Sequence, residues 1–172
     1  QAIKKGSMGT LNSFEEVKLA EKLTKIHPWA EMVRFAKTGG EACAVAIRIA
    51  RAASGKDKIA FCGYHGWHDW YLSSNLKYKR NLDEQLLPGL STLGIPKVFS
   101  GTSLPFNFND IQSFRKLINQ HKTKIGVVIM EPQREEKTEK NFLKEIKSTC
   151  KKIGAVLIFD EITSGFHDNL GG

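Results

Sequence analysis

Three short stretches of this chain combine residue types that could do chemistry together. The first, Thr38-Gly39-Gly40-Glu41-Ala42, leads into an alanine-rich segment. Two glycines let a backbone approach a ligand closely, and the free N–H groups of a helix start favour an anion, with Thr38 adding a hydroxyl. An ordinary strand-to-helix turn is the competing reading. The second stretch, Gly63-Tyr64-His65-Gly66-Trp67-His68-Asp69-Trp70, sets an aromatic beside a histidine between two glycines. It reads as a platform for a flat ring or as a structural aromatic cluster. Cys62, His65, His68 and Asp69 are metal-ligand types as well, but zinc sites usually draw on two separated pairs and no second pair exists, so no metal is assigned. The third, Phe159-Asp160-Glu161-Ile162, ends an apolar run with a carboxylate. Burying that group is costly unless something cationic satisfies it.

The elements that must position these stretches follow from periodicity. Ser13 to Ile26 spaces Phe14, Val17, Ala20, Leu23 and Ile26 three apart, on one helix face. Ser13 is an N-cap there, with Glu15 and Glu16 suited to the positive end of the helix dipole. Met32 to Ala36 reads as a short strand. Glu41 to Ala53, apolar or small apart from Glu41, Arg48 and Arg51, reads as a buried helix ended by Ser54-Gly55. Strands are expected at Lys58–Cys62, near Lys97–Ser100, at 126–130 and, buried, at 155–160. Helices are expected at 110–120, with Asn109 as its cap, and at 138–152. Short apolar strands alternating with helices mean an α/β fold, a three-layer, mostly parallel sheet with helices on both faces. Ligands of such sheets sit at the carboxyl ends of the strands, where all three stretches fall.

Composition sets the outer bounds. The 172 residues are 41% hydrophobic and 26% charged, ordinary for a globular domain and unlike collagen-like, low-complexity or disulfide-scaffold chains. One core can form, burying roughly 70% of the unfolded chain's surface. No apolar run approaches the ~20 residues of a membrane span. Gln1-Ala2-Ile3-Lys4-Lys5 lacks the apolar stretch of a secretory signal, and the three cysteines cannot all pair with one another, so reduced thiols in a cytoplasm are expected. The net charge of +8 comes from scattered groups, among them Lys4-Lys5, Lys77/Lys79/Arg80, Lys122/Lys124 and Lys151-Lys152. Without a nucleic-acid motif these read as a solvated surface, and neither nucleic acid nor membrane is an expected partner.

Known phosphate motifs do not fit. Glu41 breaks the dinucleotide fingerprint, and around Gly55-Lys56 the P-loop pattern fails at Ala50 and Asp57. Without a phosphate loop, magnesium and a nucleotide are a weak answer to the Asp160 carboxylate. A protonated heteroaromatic nitrogen is the other answer. Phosphate turn, ring platform and strand-end carboxylate together describe a pocket for a phosphorylated pyridine, pyridoxal 5'-phosphate.

At this point the sequence resembles the class III aminotransferases of the fold-type I pyridoxal-phosphate enzymes, in the branch that includes glutamate-1-semialdehyde aminomutase. The resemblance rests on Met32-Val-Arg-Phe-Ala-Lys-Thr-Gly-Gly-Glu-Ala42, Ala46-Ile-Arg-Ile-Ala-Arg51, Tyr64-His-Gly66, Glu131-Pro132 and Val156-Leu-Ile-Phe-Asp-Glu-Ile162, followed by Thr163-Ser-Gly-Phe166 and Gly171-Gly172. These occur in the family's order, at about its spacing. The resemblance implies that Thr38, Gly39 and Gly40 hold the phosphate and that Tyr64 and Ile162 pack on opposite ring faces. It implies that His65 supports the pocket, that Asp160 pairs with the pyridine nitrogen, and that Glu136 lies near the cofactor oxygen or substrate. Glu131 would support the strand end. The reaction implied is amino-group transfer, or internal migration, between an amino donor and a carbonyl acceptor in a homodimer.

Three departures stand out: Gly40 where many relatives carry Thr or Ser, the charged run Gln133-Arg134-Glu135-Glu136, and His167 where Arg commonly follows Gly-Phe. The largest is that the family's Schiff-base lysine lies on a later strand, whereas no lysine follows Lys152 here. The expectation is therefore a central part of a large domain, residues 1–172, without the small C-terminal domain and with no catalytic lysine of its own. A non-catalytic interaction or scaffold domain that keeps the fold is the alternative.

Overall fold

The computed structural model describes residues 13–85 and 87–172; Gln1–Lys5, with the Lys4-Lys5 pair, lies outside them. Contacts divide the chain into two compact units, one of residues 1–35 and 165–172 and one of residues 36–164. In the first unit, α1 (Phe14–Ile26) starts at Ser13, whose side chain accepts from the Glu16 N–H while Glu16 reaches back to the Ser13 N–H. That reciprocal pair satisfies two otherwise orphaned donors. The helix nevertheless buries none of its residues, and Phe14 is 67% exposed. Beyond it, the His27 ring meets Trp29 and Phe166 edge-on. The strand expected over Met32–Ala36 is absent. A strand needs a ladder partner to satisfy its backbone groups, and among the described residues no strand pairs with this segment.

The second unit is built on four parallel strands, β1 (Lys58–Cys62), β2 (Ser103–Pro105), β3 (Ile125–Met130) and β4 (Val156–Phe159), in the order β2-β1-β3-β4. Successive strand residues point to opposite faces, and the two cores divide accordingly. Ile59, Phe61, Val127 and Ile129 face α2 (Gly39–Ser54) through Cys43, Ile47 and Ala50, joined by Trp70, Tyr71 and Leu82. Ala60, Cys62, Val128 and Met130 face α5 (Ile111–His121) and α6 (Phe142–Ile153) through Phe114, Leu117, Ile118, Phe142, Ile146 and Cys150. The short helices α3 (Asp69–Leu72) and α4 (Ser74–Lys77) follow the loop after β1. The three-layer parallel α/β architecture read from the sequence is the observed one.

Several boundaries differ, each for a physical reason. Helix α2 is not buried all round; Ile49 on its outer side is 60% exposed, because one helix face is all a sheet can cover. Lys97–Phe99 is a 3-10 turn, and the strand in the ladder is β2, which pairs Ser103 to Pro105 with Ile59 to Phe61. Asp110, not Asn109, caps α5, accepting from the N–H groups of Gln112 and Ser113; Asn109 adopts a left-handed conformation with φ 55°. Helix α6 begins at Phe142 rather than Thr138, since the Thr138 hydroxyl donates to Pro132 O and the Glu139 N–H to Asn109 Oδ1. Strand β4 is half-buried, not buried, because it ends the sheet order and has a neighbour on one side only.

Candidate functional site

The carboxyl ends of β1 and β4 and the start of α2 meet in one place. Thr38 caps α2 through the same reciprocal arrangement as Ser13: its hydroxyl accepts from Glu41 N–H, and Glu41 accepts from the N–H groups of Lys37 and Thr38. The N–H groups of Gly39 and Gly40, the first two helical residues, reach no acceptor among the described residues. Such donors are the ones a bound anion takes up. A Cβ on Gly66 would lie 2.7 Å from Gly40 Cα, and Gly66 holds φ +92°. Backbone therefore packs on backbone between the helix start and the loop after β1, which only glycine at position 66 allows. On the other side, a Cβ on Gly39 would lie 2.7 Å from Ile162 Cδ1.

Asp160, the residue after β4, is 7% exposed. Its Oδ2 lies 2.7 Å from His65 Nδ1 and accepts the Cys43 thiol at 3.3 Å; its Oδ1 accepts the Ile162 N–H at 3.1 Å. Burial pushes this carboxyl up. The hydrogen bond and charge of His65, with the Ile162 N–H and the Cys43 thiol, outweigh that and hold it below the usual carboxylate range. His65 is fixed on its other side, with Nε2 3.0 Å from the Cys62 carbonyl oxygen, and its ring stacks on Trp70. The carbonyl can only accept, so Nε2 carries a hydrogen.

A second set of bonds fixes the Tyr64 segment. The Gly63 N–H donates to Gln85 Oε1, the Tyr71 hydroxyl donates to Gly63 O, and the Tyr64 N–H donates to Glu131 Oε2 at 3.3 Å. Arg134 approaches the same Glu131 oxygen at 3.4 Å. Burial raises the Glu131 carboxyl above its ordinary value, against the pull of His65 and Arg134. The half-buried Tyr64 ring meets Tyr71 edge-on.

Of the residues singled out in the sequence, Gly39, Gly40, Tyr64, His65, Asp160 and Ile162 thus belong to one connected cluster, with Thr38 at the cap. Glu136 does not join it: the side chain is exposed and bonded to nothing among the described residues. The metal-type set Cys62, His65, His68 and Asp69 is not gathered either. His68 stacks on Trp67, and His65 meets the backbone carbonyl of Cys62 rather than its sulfur. Cys43 is the participant that sequence reading missed. Its only signal was its place just after the first turn of α2, on the face turned to the sheet.

Comparison with known proteins places the chain in a family. The sequence profile of the family described as "Aminotransferase class-III" matches residues 1–169. A 3-aminobutyryl-CoA aminotransferase of Cloacimonas acidaminovorans is 32% identical, over 98% of this chain and 38% of that protein. A glutamate-1-semialdehyde 2,1-aminomutase of Chlorobium luteolum is 37% identical, over 91% of this chain and 37% of its own length. Among solved structures, an omega-transaminase from Sphaerobacter thermophilus superposes with a TM-score of 0.79 at 30% identity, over 94% of this chain and 39% of that one. The chain thus spans 37–38% of the length of these two curated relatives.

Proposed function

Because the chain belongs to the class III aminotransferases, we propose that it forms the cofactor-binding part of an enzyme that moves amino groups with pyridoxal 5'-phosphate. The observation that carries this reading is Asp160: a buried carboxylate at a strand end, held ionised by His65, beside two unbonded helix-start N–H groups. The residues present fit the group. Gly39 and Gly40 offer N–H donors to a phosphate, with the Thr38 hydroxyl beside them. Asp160 Oδ1, bonded among the described residues only to the Ile162 N–H, keeps an acceptor direction free and would hold a proton on a pyridine nitrogen. His65 and Cys43, both on Oδ2, orient that carboxylate. Tyr64 and Ile162 supply apolar surface for the two faces of a ring, and Glu131 keeps the Tyr64 segment in place. Bound here, the cofactor supplies an electron sink for the carbon that bears the substrate's amino group.

Glu136, exposed in this chain, is assigned to the neighbourhood of the cofactor oxygen or the substrate. An amino donor and a carbonyl acceptor are the proposed substrates, and a homodimer in the cytoplasm the proposed setting, all resting on family likeness. Among the described residues no helix is long and apolar enough to cross a membrane.

The experiment is a titration of the chain with pyridoxal 5'-phosphate, followed by fluorescence and visible absorbance. Saturable binding is expected, competed by inorganic phosphate and weakened at least ~10-fold in Asp160→Asn. Borohydride reduction and mass spectrometry should label no single lysine stoichiometrically. Binding unaffected by both phosphate and Asp160→Asn would overturn the reading.

A further inference from the structure

We propose that Cys43 Sγ, His65 Nδ1 and Asp160 Oδ2 form a zinc-binding site in the cofactor-free chain. The three atoms lie within 4.8 Å of one another and come from three different elements, the second turn of α2, the loop after β1 and the end of β4. All three residues are buried, at 5%, 1% and 7% exposure.

The hydrogen-bond geometry shows what now occupies the point where they converge. His65 Nε2 already carries its hydrogen toward the Cys62 carbonyl. A neutral ring would then present a bare Nδ1 lone pair to Asp160 Oδ2, two acceptors 2.7 Å apart. They can sit that close only with a proton between them. The Cys43 thiol directs a second proton at the same oxygen from 3.3 Å. Two protons therefore meet at one carboxylate oxygen, among three potential metal ligands. A divalent cation can replace both: zinc enters, the thiol proton and the shared proton leave to solvent, and the net charge of the cluster is unchanged.

Thiolate, imidazole and carboxylate are the donor types zinc takes, at about 2.3 Å to sulfur and 2.0–2.1 Å to nitrogen and oxygen, and three protein ligands leave a fourth position for water. Two tetrahedral ligand atoms at those bond lengths stand about 3.3 Å apart, so zinc requires His65 Nδ1 and Asp160 Oδ2, now 2.7 Å apart, to separate around it. The Nε2–H bond to the Cys62 carbonyl is the outer contact that fixes a zinc-bound histidine in the right tautomer. Phe61, Trp70 and Tyr71 pack around the ring and keep Nδ1 on target.

The test uses the 172-residue chain, stripped with EDTA and titrated with cobalt(II) and then zinc(II) in the absence of pyridoxal phosphate. One equivalent of cobalt should give tetrahedral visible bands and a thiolate-to-cobalt charge-transfer band, both displaced by zinc. Cys43→Ser should remove the charge-transfer band and weaken binding by about 100-fold, the upper end of what losing even an outer contact costs. Cys62→Ser and Cys150→Ser should retain it. Circular dichroism establishes that each variant is folded, and His65→Gln serves as a second variant should Cys43→Ser not fold. No binding by the folded wild-type chain overturns the proposal, as does a charge-transfer band that survives in folded Cys43→Ser or undiminished affinity in His65→Gln. With no cofactor present, this outcome is separate from the cofactor titration: either result can fail while the other stands.

Discussion

Helices α1 and α2 begin with the same local chemistry and end up in different circumstances. Each carries a hydroxyl cap answered by a glutamate three residues on, Ser13 with Glu16 and Thr38 with Glu41. Yet α1 buries no residue, whereas α2 buries Cys43, Ile47 and Ala50 against the sheet. A capping box fixes where a helix starts; it does not say what the start is for. What separates the two is the surroundings of the first turn. At α2 that turn opens with two glycines pressed against Gly66 and Ile162 and continues into a cysteine bonded to Asp160.

The sharpest way to test the distinction is to remove the group toward which the first turn of α2 is directed. Asp160→Ala leaves the buried His65 without its partner and should cost about 3–5 kcal/mol, read from urea unfolding. In any form of the protein that turns over, Asp160→Asn should cost at least ~100-fold in rate. A stable Asp160→Ala chain would mean that the cluster is not what anchors the α2 end of the fold.

Gly40→Val comes next. Its Cβ would stand 3.0 Å from His68 Cδ2 and 3.7 Å from Gly66 Cα, crowding that should cost about 1–3 kcal/mol and weaken pyridoxal-phosphate binding together. Stability lost with cofactor affinity intact would make the Thr38-Gly39-Gly40 turn purely structural.

The caps themselves give a smaller and more direct comparison. Thr38→Ala should lower global stability by about 1 kcal/mol. Ser13→Ala removes the same bond from a helix without buried residues, so it should raise amide exchange in the first turn of α1 and leave the urea midpoint within about 0.5 kcal/mol. Equal shifts in the midpoint would show that α1 is coupled to the core as tightly as α2.

The smallest effect is in acid. The Asp160 carboxyl is held below its ordinary value in the folded chain, so its contribution is complete above the unfolded value of about 3.9 and is lost as pH falls through the folded one. The stability gap between wild type and Asp160→Asn should therefore hold at neutral pH, begin to shrink below about pH 4 and close as pH falls through the lower folded value. A gap that persists unchanged at pH 3 would contradict this assignment of charge.

Much of the scaffold could be read in the sequence because it depends on local pattern. β3 is a continuous apolar run and β1 is one after Lys58, α2 stops at the left-handed Gly55, and α1 starts at Ser13 with acids in its first turn. The strands that differ from expectation depended on partners far along the chain. Met32–Ala36 has strand-forming residues but, among the described residues, no strand to pair with, and β2 was hidden because only its register with β1 singles out Ser103–Pro105 from the turn-rich stretch around it. The same divide runs through the site. Residue types and order determined that Thr38-Gly39-Gly40, Tyr64-His65-Gly66 and Asp160 lie at helix start and strand ends, since glycine conformation and apolar runs are local properties. Only the tertiary structure decided that the 117 residues separating Cys43 from Asp160 and the 95 separating His65 from it close to hydrogen-bond distance, and that Glu136 stays outside. Proximity across such separations is set by the order of strands and the packing of two sheet faces, which no spacing along the chain encodes.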